Sequence, residues 1–312
     1  MKKMWLLLLV VMAAFVLTAC QKEYAVDGEF MAYEVSVSHN APQVTMVTVT
    51  IEKGKVADFY IDVRQGSATD TSDPADGVAD VFAWNEKTKK ELGDDYGMAS
   101  QDGQLEWFEQ AEAIEAYWLE NGISLDEVDE NGDTDAITGV SITVDAIYNV
   151  GLAALELAKA GEFQALAFSA DDLYIASMTV EKGKFSDLVL DVLQGAPSAG
   201  TFVWNTQTKQ ELGFDYGMAG VGGGYSFVDG AWVSSGSTAT LEWFEQAALI
   251  TDYVQANGWN GDLEAIGGRG ATVDGSTLLD DLAGVTIHSQ TYYDVLADLF
   301  AAPADDVEPA AE

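Results

Sequence analysis

The stretch FAWNEKTKKELGDDYGM, residues 82–98, returns as FVWNTQTKQELGFDYGM at residues 202–218. Between the two, twelve positions are identical and the order of apolar, capping and turn residues is preserved. This pair decides the architecture, because its neighbours repeat in the same order. Gly28-Glu29-Phe30 recurs as Gly161-Glu162-Phe163, and Glu52-Lys53-Gly54-Lys55 recurs as Glu181-Lys182-Gly183-Lys184. LEWFEQA at 105–111 recurs at 241–247, and TDAITGVSIT (134–143) has its counterpart in LDDLAGVTIH (279–288). A period of this length makes each copy a domain and not the unit of a solenoid. The expected organisation is a leader over 1–19, an anchor and linker over 20–27, domains over 28–160 and 161–301, and a loose acidic tail over 302–312.

Within a copy the hydrophobic period changes. VTMVTVTIEKGKVADFYIDV alternates on both sides of Lys53-Gly54 and predicts a β-hairpin. LEWFEQAEAIEAYWLENG sets Trp107, Ala111, Ile114 and Trp118 on one helical stripe and stops at Asn121-Gly122. The second copy repeats that stripe with Trp243, Ala247, Ile250 and Val254. VDAIYNVGLAALELAKAG and SQTYYDVLADLFAA read as closing helices. The fold class is therefore α+β: two tandem homologous domains, each an antiparallel sheet packed with a few helices.

The chain begins with Lys2 and Lys3, then an apolar run from Trp5 to Val16 that is too short to span a bilayer. It closes on Leu17-Thr18-Ala19-Cys20, which resembles a bacterial lipobox. That resemblance implies cleavage before Cys20 and lipidation of its sulfur, leaving the protein anchored on the extracytoplasmic face of the cell membrane. Cys20 is the single cysteine, so no disulfide forms within one molecule.

The formal charge is −38, and loss of Lys2 and Lys3 with the leader makes it two units more negative. Such a surface repels nucleic acid and anionic headgroups. With thirteen Phe, twelve Tyr and eight Trp, the chain is nevertheless rich enough in apolar area to fold. His39 and His288 are the only histidines, so zinc, haem and His-based triads find little support. GVGGGY (220–225) lacks the strand–turn–helix setting of a dinucleotide site and reads as a loop. DEVDENGDTD (126–135) has its glycine misplaced for a calcium loop and reads as a solvated acidic segment.

What remains is the hydroxyl behind Gly-Val in both copies. DAITGVS and DDLAGVT resemble the flavinylation motif of the FMN-binding domain family, with valine (Val140, Val285) where the family carries alanine. The resemblance implies that an exported flavin transferase esterifies FMN onto Ser141 and Thr286, giving two covalent FMN groups. Asp135 and Asp280 match the motif's acidic residue, Gly139 and Gly284 its glycine, and Thr138 its small hydroxyl position, which holds Ala283 in copy two. A phosphate there would meet free N–H groups near a helix start. Tyr96, Tyr216, Trp84 and Trp204 are the aromatic candidates for packing on the isoalloxazine ring. Trp107 and Trp243, on the helix stripes, read as core.

The wider blocks resemble the two-domain flavin lipoproteins of Gram-positive extracellular electron transfer. That likeness implies electron relay from a membrane NADH dehydrogenase and quinone pool to extracellular acceptors such as ferric iron. In that family the leader also yields a short hydrophobic peptide pheromone, a role that Ala13–Ala19 would suit. The implied role is that of a carrier more than a stand-alone enzyme, with no acid–base pair assigned. The competing expectation is a surface binding or adhesive lipoprotein that holds a ligand non-covalently, with the Gly/Ser-rich insertion from Val221 to Thr240 as its supporting feature.

Overall fold

The structure, a computed structural model, describes residues 23–68, 82–99, 105–169, 172–198, 200–220, 225–228, 231–234, 240–259, 261, 268–269, 278–279, 284–285, 287 and 290–310. Cys20 and the leader, Asp280, Ala283, Thr286 and His288 lie outside the described residues, as does most of the Val221–Thr240 insertion.

The molecule is mixed α+β with antiparallel sheets. Strands β1 (Gly28–Ser38), β2 (Ala41–Glu52), β3 (Lys55–Ala68) and β4 (Phe82–Trp84) form one sheet in sequence order. The β2–β3 turn falls at Lys53 and Gly54, both at positive φ (54° and 72°), which suits the reversal expected there. Val47, Val49, Ile51, Phe59, Ile61 and Val63 line the buried face at 4% exposure or less, as the two-residue alternation requires. After a one-turn helix α1 (Lys89–Leu92), α2 (Trp107–Asn121) lies on β3 and α3 (Asp145–Ala160) lies on β1 and β2. Helix α2 buries the expected Trp107, Ala111, Ile114 and Trp118 and ends on Gly122 at φ 80°.

The second set of elements repeats this order. Strands β5 (Glu162–Ser169), β6 (Asp172–Glu181) and β7 (Lys184–Leu193) form a sheet, beside the ribbon of β8 (Gly195–Ser198) and β9 (Thr201–Trp204). Helix α4 (Lys209–Leu212) follows. A hairpin of β10 (Tyr225–Val228) and β11 (Ala231–Ser234) precedes α5 (Trp243–Asn257). Strands β12 (Gly268–Arg269) and β13 (Leu278–Leu279) are a two-residue pair, and α6 (Gln290–Ala301) packs on β5 and β6.

The two sets meet through equivalent residues. Phe30 stacks on Phe163 with centroids 4.1 Å apart, Phe82 meets Phe202 edge-on at 5.6 Å, and Trp84 lies 6.0 Å from Trp204. A residue meeting its own repeat is the mark of an approximate two-fold relation. One continuous buried cluster runs from Phe30, Ile61 and Trp118 into Phe163, Leu190 and Tyr293. Fully burying each of Phe30 and Phe163 contributes about 1.5–3 kcal/mol, and their stacking adds about 0.5–1.5 kcal/mol.

The tail departs from the loose segment expected over 302–312. The Ala302 carbonyl accepts the Glu29 N–H at 2.8 Å, and the Ala304 N–H donates to the Asp27 carbonyl at 3.0 Å. Residues Glu308–Pro309 form β14, parallel to β7. The open edge of β7 offers unpaired backbone groups, and pairing outweighs the acidic composition that marked the tail as unstructured. Among the described residues no helix is long and apolar enough to cross a membrane.

Candidate functional site

Three sequence blocks that repeat together also touch together. Gly97 closes a 3-10 turn over Gly93–Tyr96 at φ 79°, and the chain then meets the start of α2. There Glu106, 5% exposed, accepts the Met98 N–H at 2.9 Å and the Ala99 N–H at 2.8 Å. Glu109 closes a capping box on the Glu106 N–H. Copy two reproduces the clamp, with Glu242 accepting from Met218 at 2.8 Å and from Ala219 at 3.1 Å.

One turn into α2 stands Gln110, fully buried on the stripe that carries Trp107 and Ile114. Its Oε1 accepts the Ser141 N–H at 2.7 Å and the Ile142 N–H at 3.1 Å, with the Ser141 hydroxyl donating at 3.4 Å. Its Nε2 donates to the Leu105 carbonyl at 2.9 Å and faces Met98 Sδ at 3.9 Å. The amide is therefore satisfied at both ends, which is what allows a polar side chain in an apolar stripe. Gln246 does the same in copy two: it accepts the Ile287 N–H at 3.0 Å and donates to the Leu241 carbonyl at 3.1 Å.

The glycine of the motif has a definite reason. Gly139 has φ 90°, and a Cβ there would lie 3.0 Å from Leu105 Cδ1. Gly284 has φ 101° and the same 3.0 Å approach to Leu241. Both conditions favour glycine. The turn leaves Asp135, Thr138, Gly139 and Ser141 exposed, while Val140 and Val285 pack against the core.

A cation stands beside each turn. Lys89 Nζ lies 5.4 Å from the centroids of both Tyr96 and Trp107, and Lys209 Nζ lies 5.3 Å from Tyr216 and 5.7 Å from Trp243. Burial pushes the Lys89 ammonium down to about 8, with the Asp62 carboxylate acting in the opposite sense. Lys209 is lowered by the same burial even though Asp172 Oδ2 lies 3.8 Å away, so desolvation outweighs that loose pair. Tyr96 and Tyr216 are both raised by burial.

The expected site residues thus divide. Ser141, Thr138, Gly139 and Asp135 share one turn, and Tyr96 joins them through Met98, Glu106 and Gln110. Trp84 and Trp204 go to the seam. There Trp84 donates to the Asp172 carbonyl at 3.3 Å and packs on Phe168, and Trp204 donates to the Ser36 carbonyl at 2.8 Å and packs on Phe202. One expectation is corrected: the N–H groups of Ser141 and Ile142 are engaged by Gln110 and are not open to a phosphate. Helix α3 starts only at Asp145, with no side-chain cap on its first turn.

Sequence reasoning passed over Gln110, Glu106 and Lys89 with their repeats Gln246, Glu242 and Lys209. The signal was present: each is a polar residue kept in both copies inside an apolar stripe or capping segment. An exposed hydroxyl on a glycine turn, together with a half-buried lysine between two rings, fits a covalently held, anionic aromatic group. Among the described residues no group of three His, Cys, Asp or Glu side chains is arranged to hold a metal ion.

Neither a family model nor a curated protein matches the chain. Among solved structures, a solution NMR structure from Clostridium thermocellum is similar, with 25% identity and a TM-score of 0.27. The match covers 42% of this chain and 89% of that one.

Proposed function

We propose that this protein is a lipid-anchored, extracytoplasmic electron carrier built of two tandem domains, each holding FMN as a phosphoester, on Ser141 and on Thr286. The observation that carries the reading is the matched support beneath the two motifs. In both copies the residues before the hydroxyl turn on a positive-φ glycine against a leucine, and a fully buried glutamine takes up the backbone beside it. A surface loop without a task has no need of a buried amide to hold one exposed hydroxyl in place.

In this reading Cys20 carries the lipid and an exported flavin transferase loads the sites. A membrane NADH dehydrogenase and quinone pool supply electrons that pass on to extracellular acceptors such as ferric iron. FMN would contribute the redox chemistry. The chain's own residues position it: Gln110 and Gln246 orient the ester turns, and Lys89 and Lys209 set a positive charge beside the ring. The half-buried rings of Tyr96 and Tyr216 offer flat apolar surface. Covalent attachment suits an exported carrier, since a dissociating flavin would be lost outside the cell.

Intact-mass measurement of the chain produced with its flavin transferase tests the reading. Two increments of FMN minus water are expected, one lost in Ser141→Ala and the other in Thr286→Ala. Unmodified wild-type protein under those conditions overturns it.

A further inference from the structure

The chain enters the fold and leaves it at one pole. Tyr24, 4% exposed, is built into the core. The Asp27 carboxylate then accepts the Lys53 N–H at 2.6 Å and the Gly54 N–H at 2.7 Å, which fixes the entering chain to the β2–β3 turn. The tail returns to the same place. The Ala304 N–H donates to the Asp27 carbonyl, and the Glu308 N–H donates at 3.0 Å to the Gly183 carbonyl in the β6–β7 turn. A Cβ added to Gly161, just past the end of α3, would lie 3.6 Å from Val26 Cγ2. Both hairpin turns and the C-terminus of α3 therefore gather around residues 24–29.

Ser141 lies at the opposite pole, and two elements agree on the distance. Helix α3 begins at Asp145, just after the Ser141 turn, and ends at Ala160, so its 16 residues span about 24 Å. On the other side of the sheet's helical layer, the Ile61 N–H donates to Glu115 Oε1 at 2.6 Å and Phe59 meets Trp118 edge-on, so α2 runs antiparallel to β3. From Lys55 to Ile61 the strand covers about 20 Å, and α2 from Glu115 back to Gln110 adds about 7 Å in the same direction. Gln110 is the residue that holds the Ser141 N–H.

Exposed positive charge gathers at the first pole. Among the residues whose exposure is described, the exposed lysines are Lys53, Lys55, Lys87, Lys159, Lys182 and Lys184. All but Lys87 stand on the two hairpin turns or on the last turn of α3. Lys159, Lys182 and Lys184 face Glu156, Glu181 and Glu308, whereas Lys53 and Lys55 have no ion pair among the described residues. Glu52 and Glu162 stand there too, so this pole is not a cationic patch. It is the least negative face of a chain whose formal charge is −38.

Resting on the reading of Cys20 as the lipid anchor, we infer that this pole is the surface set against the bilayer headgroups and that the Ser141 turn faces outward, toward partners in the medium. Cys20 stands four positions before Tyr24, and four residues of chain reach at most about 14 Å. A tether this short keeps the entry pole beside the membrane, and charge then sets the tilt. Anionic headgroups attract the lysines that lie within a Debye length, about 8 Å at physiological salt, and repel the acidic remainder.

The test uses the full lipidated chain, in which Cys20 is acylated and an introduced cysteine is the single free thiol. Ala160→Cys and Thr138→Cys, both at exposed positions and one at each pole, carry a fluorophore. Each protein is reconstituted in phosphatidylcholine–phosphatidylglycerol vesicles containing a lipid spin-labelled at its headgroup. Quenching should be several-fold stronger at Ala160→Cys than at Thr138→Cys. Lys53→Glu together with Lys55→Glu should shrink that ratio on these vesicles and leave it unchanged on phosphatidylcholine alone. Vesicle-bound protein with equal quenching at the two labels, or with stronger quenching at Thr138→Cys, overturns the inference and leaves the anchor reading standing. An unchanged ratio in the doubly substituted chain on anionic vesicles overturns the role given to the lysines. A chain that carries no acyl mass and stays free of the vesicles overturns the inference and the anchor reading together.

Discussion

Gln110 and Ser141 are separated by 31 positions in the chain, yet the Gln110 side-chain oxygen accepts the Ser141 N–H at 2.7 Å. The same oxygen takes the Ile142 N–H at 3.1 Å, so one buried amide holds two consecutive residues of the exposed motif. Truncating it leaves those donors without a partner, at a cost of about 1–3 kcal/mol. Gln110→Leu should lower stability by that amount in urea denaturation and reduce the FMN increment at Ser141 alone. Gln246→Leu should do the same to Thr286 alone. Equal loss at both sites in either variant would argue against local support.

Gly139 is held by conformation and by space together. Alanine there must adopt φ 90° and meet Leu105 Cδ1 at 3.0 Å. A strained residue of this kind costs about 1–3 kcal/mol. Gly139→Ala should lower the thermal midpoint, and Leu105→Ala in the same chain should recover the steric part of the loss. An undiminished midpoint in Gly139→Ala would show that the turn adapts.

Phe30 and Phe163 join the two halves into one core. Phe30→Ala deletes a fully buried ring and its stacked partner contact, with an expected loss of about 3–5 kcal/mol. The shared core also predicts a single unfolding transition in the wild type, in which far-UV circular dichroism and tryptophan fluorescence change together. Two separated transitions would mean that the halves fold as independent units.

The lysine and tyrosine environments predict a maximum in stability at alkaline pH. Lys89 has a folded value near 8, below its ordinary 10.5. Between those values the unfolded chain holds the proton that the folded chain has released, so stability rises with pH. Tyr33 and Tyr60 are pushed up by burial from 10.0 to about 12. From about pH 10 upward the folded chain therefore holds protons that the unfolded chain has lost, and stability falls. Urea midpoints measured from pH 7 to 11 should show the rise and then the fall. Lys89→Met should flatten the rising limb and leave the falling one.

The sequence alone determined the elements and their repetition. The two-residue alternation around Lys53-Gly54 and the stripe from Trp107 to Trp118 report local geometry, and local geometry follows from residue order. It also marked the motif turn, since a glycine two residues ahead of a hydroxyl recurs in both copies. Tertiary structure decided which repeated blocks meet. Glu106 and Gln110 read as ordinary helix residues until the fold brings Met98 and Ser141 to them. Trp84 and Trp204 looked like ring platforms until the approximate two-fold set them against each other. The tail from Ala302 looked unstructured because its composition is acidic, but the open edge of β7 supplies partners that composition does not reveal. Asp172 came to Lys209 from the first position of β6, far from it in the chain. Periodicity is written in neighbouring residues, whereas long-range hydrogen bonds and paired charges depend on where the chain returns.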